Sequence, residues 1–435
     1  MLKVLLITYY WPPAGGPGVQ RWLKFVKYFK DFGIEPIVYI PENPTYPLID
    51  ESLASEVPAE ITILKQPIFE PYRLAEVFSK KSSKTISKGI IAKKEKQSLI
   101  QKLLLYIRGN FFIPDARKFW IKPSVKFLQK YISEANIDTI ITTGPPHSVH
   151  LIGKELKEKL NLKWIADFRD PWTTIGYHDK LKLTKRSIKK HKQLEQEVLT
   201  SVDHITVTSY TTKEEFLEIT NKPVSVITNG YDTEKVSEVK LDSEFTISHI
   251  GSLLSGRNPE KLWQVLYDLT QENDEFAKAF RLRLVGAVSE DVLFSINEAG
   301  LSGFLDNKGY VSHKEAIEIQ HSSQVLLLVE IDKPETKCII PGKLFEYMVS
   351  KRPILAIGPK DADISRLIRE TNSGYFFEYS EESEMKSVIL SYFKEFQEGK
   401  LIAKTERIEK YSRRTLTKEM SLVLKNLKKK SHRPK

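Results

Sequence analysis

The chain of 435 residues holds one cysteine, Cys338. A single thiol excludes an intramolecular disulfide framework and fits a reducing compartment, so a cytoplasmic protein is expected. Long hydrophobic runs are missing as well. Stretches such as 325–329 meet a charge after a few residues, far short of the roughly 18 apolar residues that cross a bilayer. The first ten residues read as a buried strand running into prolines and glycines, without a signal-peptide cleavage site. The nine histidines are scattered without metal-ligand spacing, so no metal site is expected. Two phosphate-binding signatures also fail. Gly16 and Gly18 begin a dinucleotide fingerprint, but its third glycine is replaced by Arg21. Gly342-Lys343 is followed by Leu344 where a P-loop needs Ser or Thr, and position 337 is Lys, not Gly.

What is present is a globular composition, 41% hydrophobic and 28% charged, in a chain long enough for two domains of about 200 residues. Apolar runs of strand length alternate with amphipathic stretches of helix length from end to end, which predicts an α/β protein with parallel sheets covered on both faces. Strands are expected at 3–8, 35–40, 61–65, 139–142, 164–167, 204–208 and 224–228. The alternation then restarts at 245–250, 280–285, 305–310, 325–331, 353–357 and 374–378. Helices are expected notably at 19–32, 117–135, 183–200, 259–273 and 290–299. The turn Asn229-Gly230-Tyr231-Asp232 marks the boundary. We therefore expect two Rossmann-like doubly wound domains, 1–232 and 233–400. A helical stretch at 402–427, within a C-terminal segment 401–435, is free to pack back on the first domain.

Lys plus Arg outnumber Asp plus Glu by 67 to 56, a net charge of +11. Residues 80–102 hold eight lysines against one acid, residues 180–192 hold seven basic residues and no acid, and the tail 425–435 is basic throughout. Such patches suit a polyanion or an anionic membrane, or are solvated lysine faces. The first lies in an insertion at 69–118 that also carries Leu103 to Ile107 and Phe111 to Ile113, a mixture suited to an interface segment or to an ordinary half-buried helix.

Several loops carry residues with chemistry. Gly16 lies in a Gly-Gly-Pro-Gly turn at 15–18 before a helix, where backbone can approach a ligand. After the strand ending near 331, Pro341 suits the first turn of a helix that carries Lys343 and Glu346 three residues apart: a phosphate-binding ammonium and a ribose-binding carboxylate, or a surface ion pair. Arg257 and Lys261 lie one helical turn apart after the loop at 248–256, placed to meet a diphosphate on which charge develops. His147 follows two prolines at a strand end, either facing a ligand or capping a helix. Asp167, Arg169 and Asp170 end the next strand, where they either orient a hydroxyl or pair among themselves. Asp361 and Asp363 read as helix-capping acids.

In combination, the Gly-Gly-Pro-Gly turn, Thr-Gly-Pro-Pro-His-Ser at 143–148, Trp-Ile-Ala-Asp-Phe-Arg-Asp-Pro-Trp at 164–172, Thr-Asn-Gly-Tyr-Asp at 228–232, His-Ile-Gly-Ser at 249–252 with Arg257, and Lys-Leu-Phe-Glu-Tyr at 343–347 resemble the GT-B glycosyltransferases of the retaining family-four type. The resemblance covers nearly the whole chain. It implies two domains facing across a cleft, with metal-independent, hexosyltransferase-type transfer from a nucleotide diphosphate sugar to a hydroxyl of a glycan or lipid-linked acceptor, with retention, in cell-surface polysaccharide synthesis. The donor is a substrate and no cofactor is implied. The resemblance assigns Arg257, Lys261 and Lys343 to the donor diphosphate and Glu346 to its ribose; beside it, the glycine turn puts Gly16 with the donor, and their places at strand ends make His147 the catalytic candidate and Asp167, Arg169 and Asp170 the acceptor-side residues. The family's paired glutamates stand eight residues apart, and the first position here is Cys338. The basic patches imply a peripheral place on the inner face of an anionic membrane, and no nucleic-acid reading motif accompanies them. A basic nucleic-acid-binding protein and a nonenzymatic sugar-nucleotide-binding protein are the alternatives.

Overall fold

Runs such as Leu-Lys-Val-Leu-Leu-Ile and Val-Leu-Leu-Leu-Val are apolar on both faces, as strands need to be when helices cover both sides of a parallel sheet. The computed structural model describes residues 1–71, 99–174, 176, 181–232 and 239–430. Most of the lysine-rich run 80–102, Lys180 and the end of the basic tail lie outside them. The described residues form thirteen strands in two sheets, one for each strand expected from the sequence.

The first sheet contains β1 (Leu2–Ile7), β2 (Ile34–Pro41), β3 (Thr62–Gln66), β4 (Thr139–Gly144), β5 (Lys163–Phe168), β6 (His204–Val207) and β7 (Val224–Val226). Its order is β3-β2-β1-β4-β5-β6-β7, all parallel. Its helices are α1 (Pro17–Phe29), α2 (Leu99–Phe111), α3 (Ile121–Ala135), α4 (Ser148–Leu160), α5 (Lys185–Ser201) and α6 (Tyr210–Leu217).

The second sheet contains β8 (Phe245–Ile250), β9 (Phe280–Val285), β10 (Leu305–Gly309), β11 (Val325–Val329), β12 (Ile354–Gly358) and β13 (Gly374–Glu378). Its order is β10-β9-β8-β11-β12-β13, again parallel. With it go α7 (Glu260–Glu272), α8 (Asp274–Ala279), α9 (Glu290–Glu298), α10 (His313–Ser322), α11 (Gly342–Val349), α12 (Asp363–Thr371) and α13 (Glu382–Gln397). Both orders reverse once, between β1 and β4 and between β8 and β11, the point at which doubly wound sheets open a crevice for ligands.

The chain divides into one unit of Met1–Asn229 with Arg413–Lys435 and another of Gly230–Ser412. The two connecting segments run side by side: Tyr231 bridges Ser412, and its N–H donates to the carbonyl of Tyr411. The expected helix at 402–427 begins only at α14 (Arg413–Lys430). Before it, Ala403 and Glu406 donate their N–H groups to Lys351 and Thr371 of the second unit, and Arg407 takes a left-handed conformation. These backbone partners hold 402–406 out of a helix that periodicity alone favoured. α14 packs Leu416, Met420, Leu424 and Leu427 into the same core as Trp22, Phe25 and Phe29 of α1. Among the described residues no helix is long and apolar enough to cross a membrane.

Candidate functional site

In the second unit, β8 ends at Ile250 and turns through Gly251, whose φ of +115° favours glycine. A Cβ built there would stand 2.6 Å from Nζ of Lys343. The ammonium therefore lies against bare backbone at the point where the strand order reverses. Tyr347, one turn further along α11, holds it there. Its hydroxyl accepts from the N–H of Ile250 at 3.0 Å and is within 3.3 Å of that residue's carbonyl, pinning α11 to the end of β8.

Arg257 leaves the following loop, and its Nη2 donates to Oε2 of Glu330 at 3.2 Å. Glu330 is 2% exposed at the end of β11. Burial pushes its carboxyl above the usual range, against the opposing pull of Arg257 and Lys343. Burial likewise pushes Lys343 down to about 8, opposed by Glu330. Two cations thus converge on one buried carboxylate at the crevice. Nε of Arg257 is buried and has no hydrogen-bond partner.

Glu330 escaped the sequence reading. Its signal was an acid closing the otherwise apolar run Val-Leu-Leu-Leu-Val, a position that needs a cation once the strand is buried. Glu346 lies exposed on α11 and accepts from Nε2 of Gln320 at 3.5 Å. Pro341 precedes α11 as its N-cap instead of opening it. Lys261 is not brought to this cluster. It pairs with Glu382 at 2.6 Å, with both side chains about half exposed. Ala362, not an aspartate, is the N-cap of α12, with Asp363 its first residue and Asp361 left-handed before it. The capping role expected of the acids therefore reduces to an acid in the first turn.

In the first unit, the loop after β4 carries Pro145, Pro146 and His147, and leads into α4. Asp115 fixes that helix start, accepting from Ser148 N at 2.9 Å and Ser148 Oγ at 2.8 Å. The His147 ring is 3% exposed and stacks on Trp172, with centroids 4.6 Å apart and planes 4° from parallel. Gly16 precedes α1 with φ +103°, and Arg169 reaches the same loop: a Cβ on Gly18 would stand 2.5 Å from Nη1 of Arg169. Arg169 donates through Nε to the Gly144 carbonyl at 3.2 Å and through Nη2 to that of Pro145. Asp170 lies beside it, its carboxyl pushed up by burial.

Asp167 is different. It is wholly buried and accepts from Arg21, Trp22, Thr143 and Thr206 at 2.8–2.9 Å, which engages both oxygens. Arg21 and these hydrogen bonds hold its carboxyl below the ordinary range although burial works against them. The aspartate joins α1, β4, β5 and β6 and has no oxygen left to orient a substrate hydroxyl.

Two parallel sheets, each ordered around a single reversal, define the GT-B architecture, and the resemblance seen in the sequence holds at the level of fold. Residues 90–235 match the model of Glycosyltransferase Family 4. The solved structure of HepE from Anabaena with UDP is similar at a TM-score of 0.59 and 13% identity, over 98% of this chain and 100% of that one. Sucrose-phosphate synthase from Thermosynechococcus elongatus is similar at 0.61 and 12% identity, over 98% and 99%. The lipopolysaccharide outer core galactosyltransferase WaaB is similar at 0.58 and 12%, over 98% and 100%. No curated protein matches the chain by sequence.

Proposed function

We propose that the protein is a glycosyltransferase that takes a sugar from a nucleotide diphosphate sugar held by its second unit. The observation that carries this reading is the meeting of Lys343, Arg257 and Glu330 around Gly251 at the strand-order reversal. When the glycosidic bond breaks, negative charge develops on the diphosphate. An ammonium and a guanidinium already fixed in place stabilise that charge without having to reorganise. Such fixed cations do the work that a metal does elsewhere, which supports metal-independent chemistry. Glu346, exposed one turn along α11 from Lys343, is placed for the ribose hydroxyls. Support also comes from the family-four match and from HepE, whose structures hold UDP, UDP with glucose, and UDP-glucose.

The finer reading is hexosyl transfer with retention, to a hydroxyl of a glycan or lipid-linked acceptor bound by the first unit, in cell-surface polysaccharide synthesis at the inner face of the membrane. In this reading His147, at that unit's strand-order reversal, hydrogen-bonds the sugar or the incoming hydroxyl. A panel of nucleoside diphosphates in a thermal-shift assay tests the donor site, since a ligand at about 100 times its Kd adds roughly 2.7 kcal/mol of stability. Arg257→Ala and Glu346→Ala are expected to shrink that response, whereas His147→Ala keeps it and slows release of the nucleoside diphosphate. Unchanged shifts in both of the first two variants would remove the donor assignment.

A further inference from the structure

Glu330 stands apart from the other buried carboxylates in how little holds it. Asp167 accepts from four side chains, and Glu195 accepts from both the N–H and the hydroxyl of Thr173. Among the described residues the carboxylate of Glu330 accepts one hydrogen bond, from Nη2 of Arg257 at 3.2 Å, where a guanidinium and a carboxylate usually close to about 2.7–2.9 Å. The main chain nevertheless fixes the residue in place. Its N–H donates to the carbonyl of Ile357 at 2.8 Å, and its own carbonyl accepts from the hydroxyl of Tyr379 at 2.7 Å. A carboxylate whose task is to tie elements together is saturated, as Asp167 is. This one is rigidly held and loosely paired.

The cations beside it are also left with capacity. The Arg257 side chain is 28% exposed against 3% for Glu330, so a ligand entering the crevice meets the guanidinium first. Its Nε is buried without an acceptor, and Lys343 forms no ion pair among the described residues although it faces the same carboxylate. A diphosphate set against Arg257 and Lys343 brings further negative charge to a site that Glu330 already occupies with its own. Like charges confined to one buried site do not all stay ionised, and the group that water solvates least yields first. Glu330 cannot swing aside, and burial already favours its neutral form.

We propose that Glu330 is an exchangeable counter-ion: it neutralises Arg257 and Lys343 while the donor site is empty, and it takes a proton from solvent when a diphosphate replaces it. This deepens the donor reading above and rests on it. The only bond formed is O–H on the carboxyl, and it breaks again when the nucleoside diphosphate leaves. The recharged carboxylate then reclaims the cations, which speeds release of a product that two fixed cations would otherwise retain. The other groups facing this cluster are Tyr379, His249 on β8, and the exposed Glu346 and Asp332. Tyr379 keeps its proton, its phenol pushed up by burial. Lys343 is already protonated well below its value of about 8, so it takes up nothing at about pH 6.5. The nearest rival seat for a proton is the buried, neutral imidazole of His249.

The test is isothermal titration of the full chain with UDP-glucose, ADP-glucose and GDP-mannose, whose diphosphates do not titrate near neutrality. It is run at about pH 6.5 in PIPES and in imidazole, buffers whose different heats of ionisation reveal protons taken up on binding. The wild type is expected to take up part of a proton per ligand bound. Glu330→Gln, which still offers Arg257 an acceptor, is expected to take up none and to bind at least about tenfold more tightly, the change that follows one pKa unit of relieved repulsion. Without ligand the variant should unfold at a lower temperature than the wild type, because the buried cations have lost their counter-charge, and ligand should narrow that gap. A purely structural Glu330 would lower the unfolding temperature with ligand affinity unchanged or weakened, and that result overturns the proposal. So does binding by the wild type without proton uptake, or an uptake that persists in Glu330→Gln and therefore belongs to another group. Silence of the wild type toward all of these ligands and toward the nucleoside diphosphate panel is a different failure: it removes the donor reading itself, and the proposal with it.

Discussion

Lys343 sits where burial and charge act in opposite directions, and this makes its chemistry depend on pH near neutrality. Burial lowers it to about 8, and only the protonated form attracts a diphosphate. Nucleotide affinity is therefore expected to weaken as pH rises through about 8, approaching tenfold per pH unit beyond it. Isothermal titration from pH 7 to 9 reads this directly, and Lys343→Arg should flatten the profile. The contribution of the same group to stability runs the other way. The unfolded lysine keeps its proton to the usual 10.5 while the folded one releases it near 8. The unfolded chain thus binds more protons between those values, and stability gains as pH rises across them. Asp167 supplies the contrasting case of an ionised group that works structurally. Asp167→Asn leaves the Arg21 guanidinium buried without its partner, and a loss of about 3–5 kcal/mol is expected in urea unfolding. A loss under about 1 kcal/mol would contradict the account of Asp167 as the tie between α1 and the sheet.

At the scale of elements, α11 and α14 show how a helix gains its place from outside itself. α11 is short, and what positions Lys343 on it is the hydroxyl of Tyr347 at the end of β8. Tyr347→Phe orphans the N–H of Ile250, with an expected cost of about 1–3 kcal/mol, and it loosens Lys343 from Gly251. Nucleotide affinity should then fall along with the unfolding temperature, and a fall in temperature alone would separate α11 from the binding site. α14 lies nearly four hundred residues from α1 in sequence yet shares its core, with Met420 and Leu424 wholly buried. Met420→Ala is expected to cost about 2–5 kcal/mol, and the loss should fall on the first unit while the nucleotide response of the second persists.

For the molecule as a whole, buried histidines couple the fold to acid. His150 is held neutral by burial, its proton affinity pushed down to about 3, and His249 is lowered by the same cause. Unfolding lets each take up a proton below the usual 6.5, so the stability they confer on the folded state is lost as pH falls through that value. Buried Glu330, Asp170 and Glu195, pushed up by desolvation, act in the opposite sense. The clean comparison is therefore between variants: His150→Phe should lose less unfolding temperature between pH 7 and 5 than the wild type does. An identical loss would show that this histidine does not carry the acid sensitivity.

The strand pattern was legible because burial on both faces demands continuous apolar runs, which the central strands left in the sequence, whereas the edge strands β3 (Thr-Ile-Leu-Lys-Gln) and β10 (Leu-Asp-Asn-Lys-Gly) carry polar residues and little buried surface. Lys343 and Arg257 were legible for a related reason: cations in loops after strands stand out against apolar surroundings. The partners those cations would find were not. Lys261 and Arg257 look equivalent in sequence, yet one pairs with exposed Glu382 and the other with buried Glu330. The Asp-Phe-Arg-Asp string at 167–170 reads as one polar cluster, although Asp167 lies within β5 and is covered by α1 while Arg169 stands past the end of the strand, by the Gly16 loop. Local sequence determined which segments become strands and helices, through period and burial. Tertiary structure alone decided which charges meet, because Coulomb energy depends on distance and desolvation, and both are set by residues hundreds of positions apart.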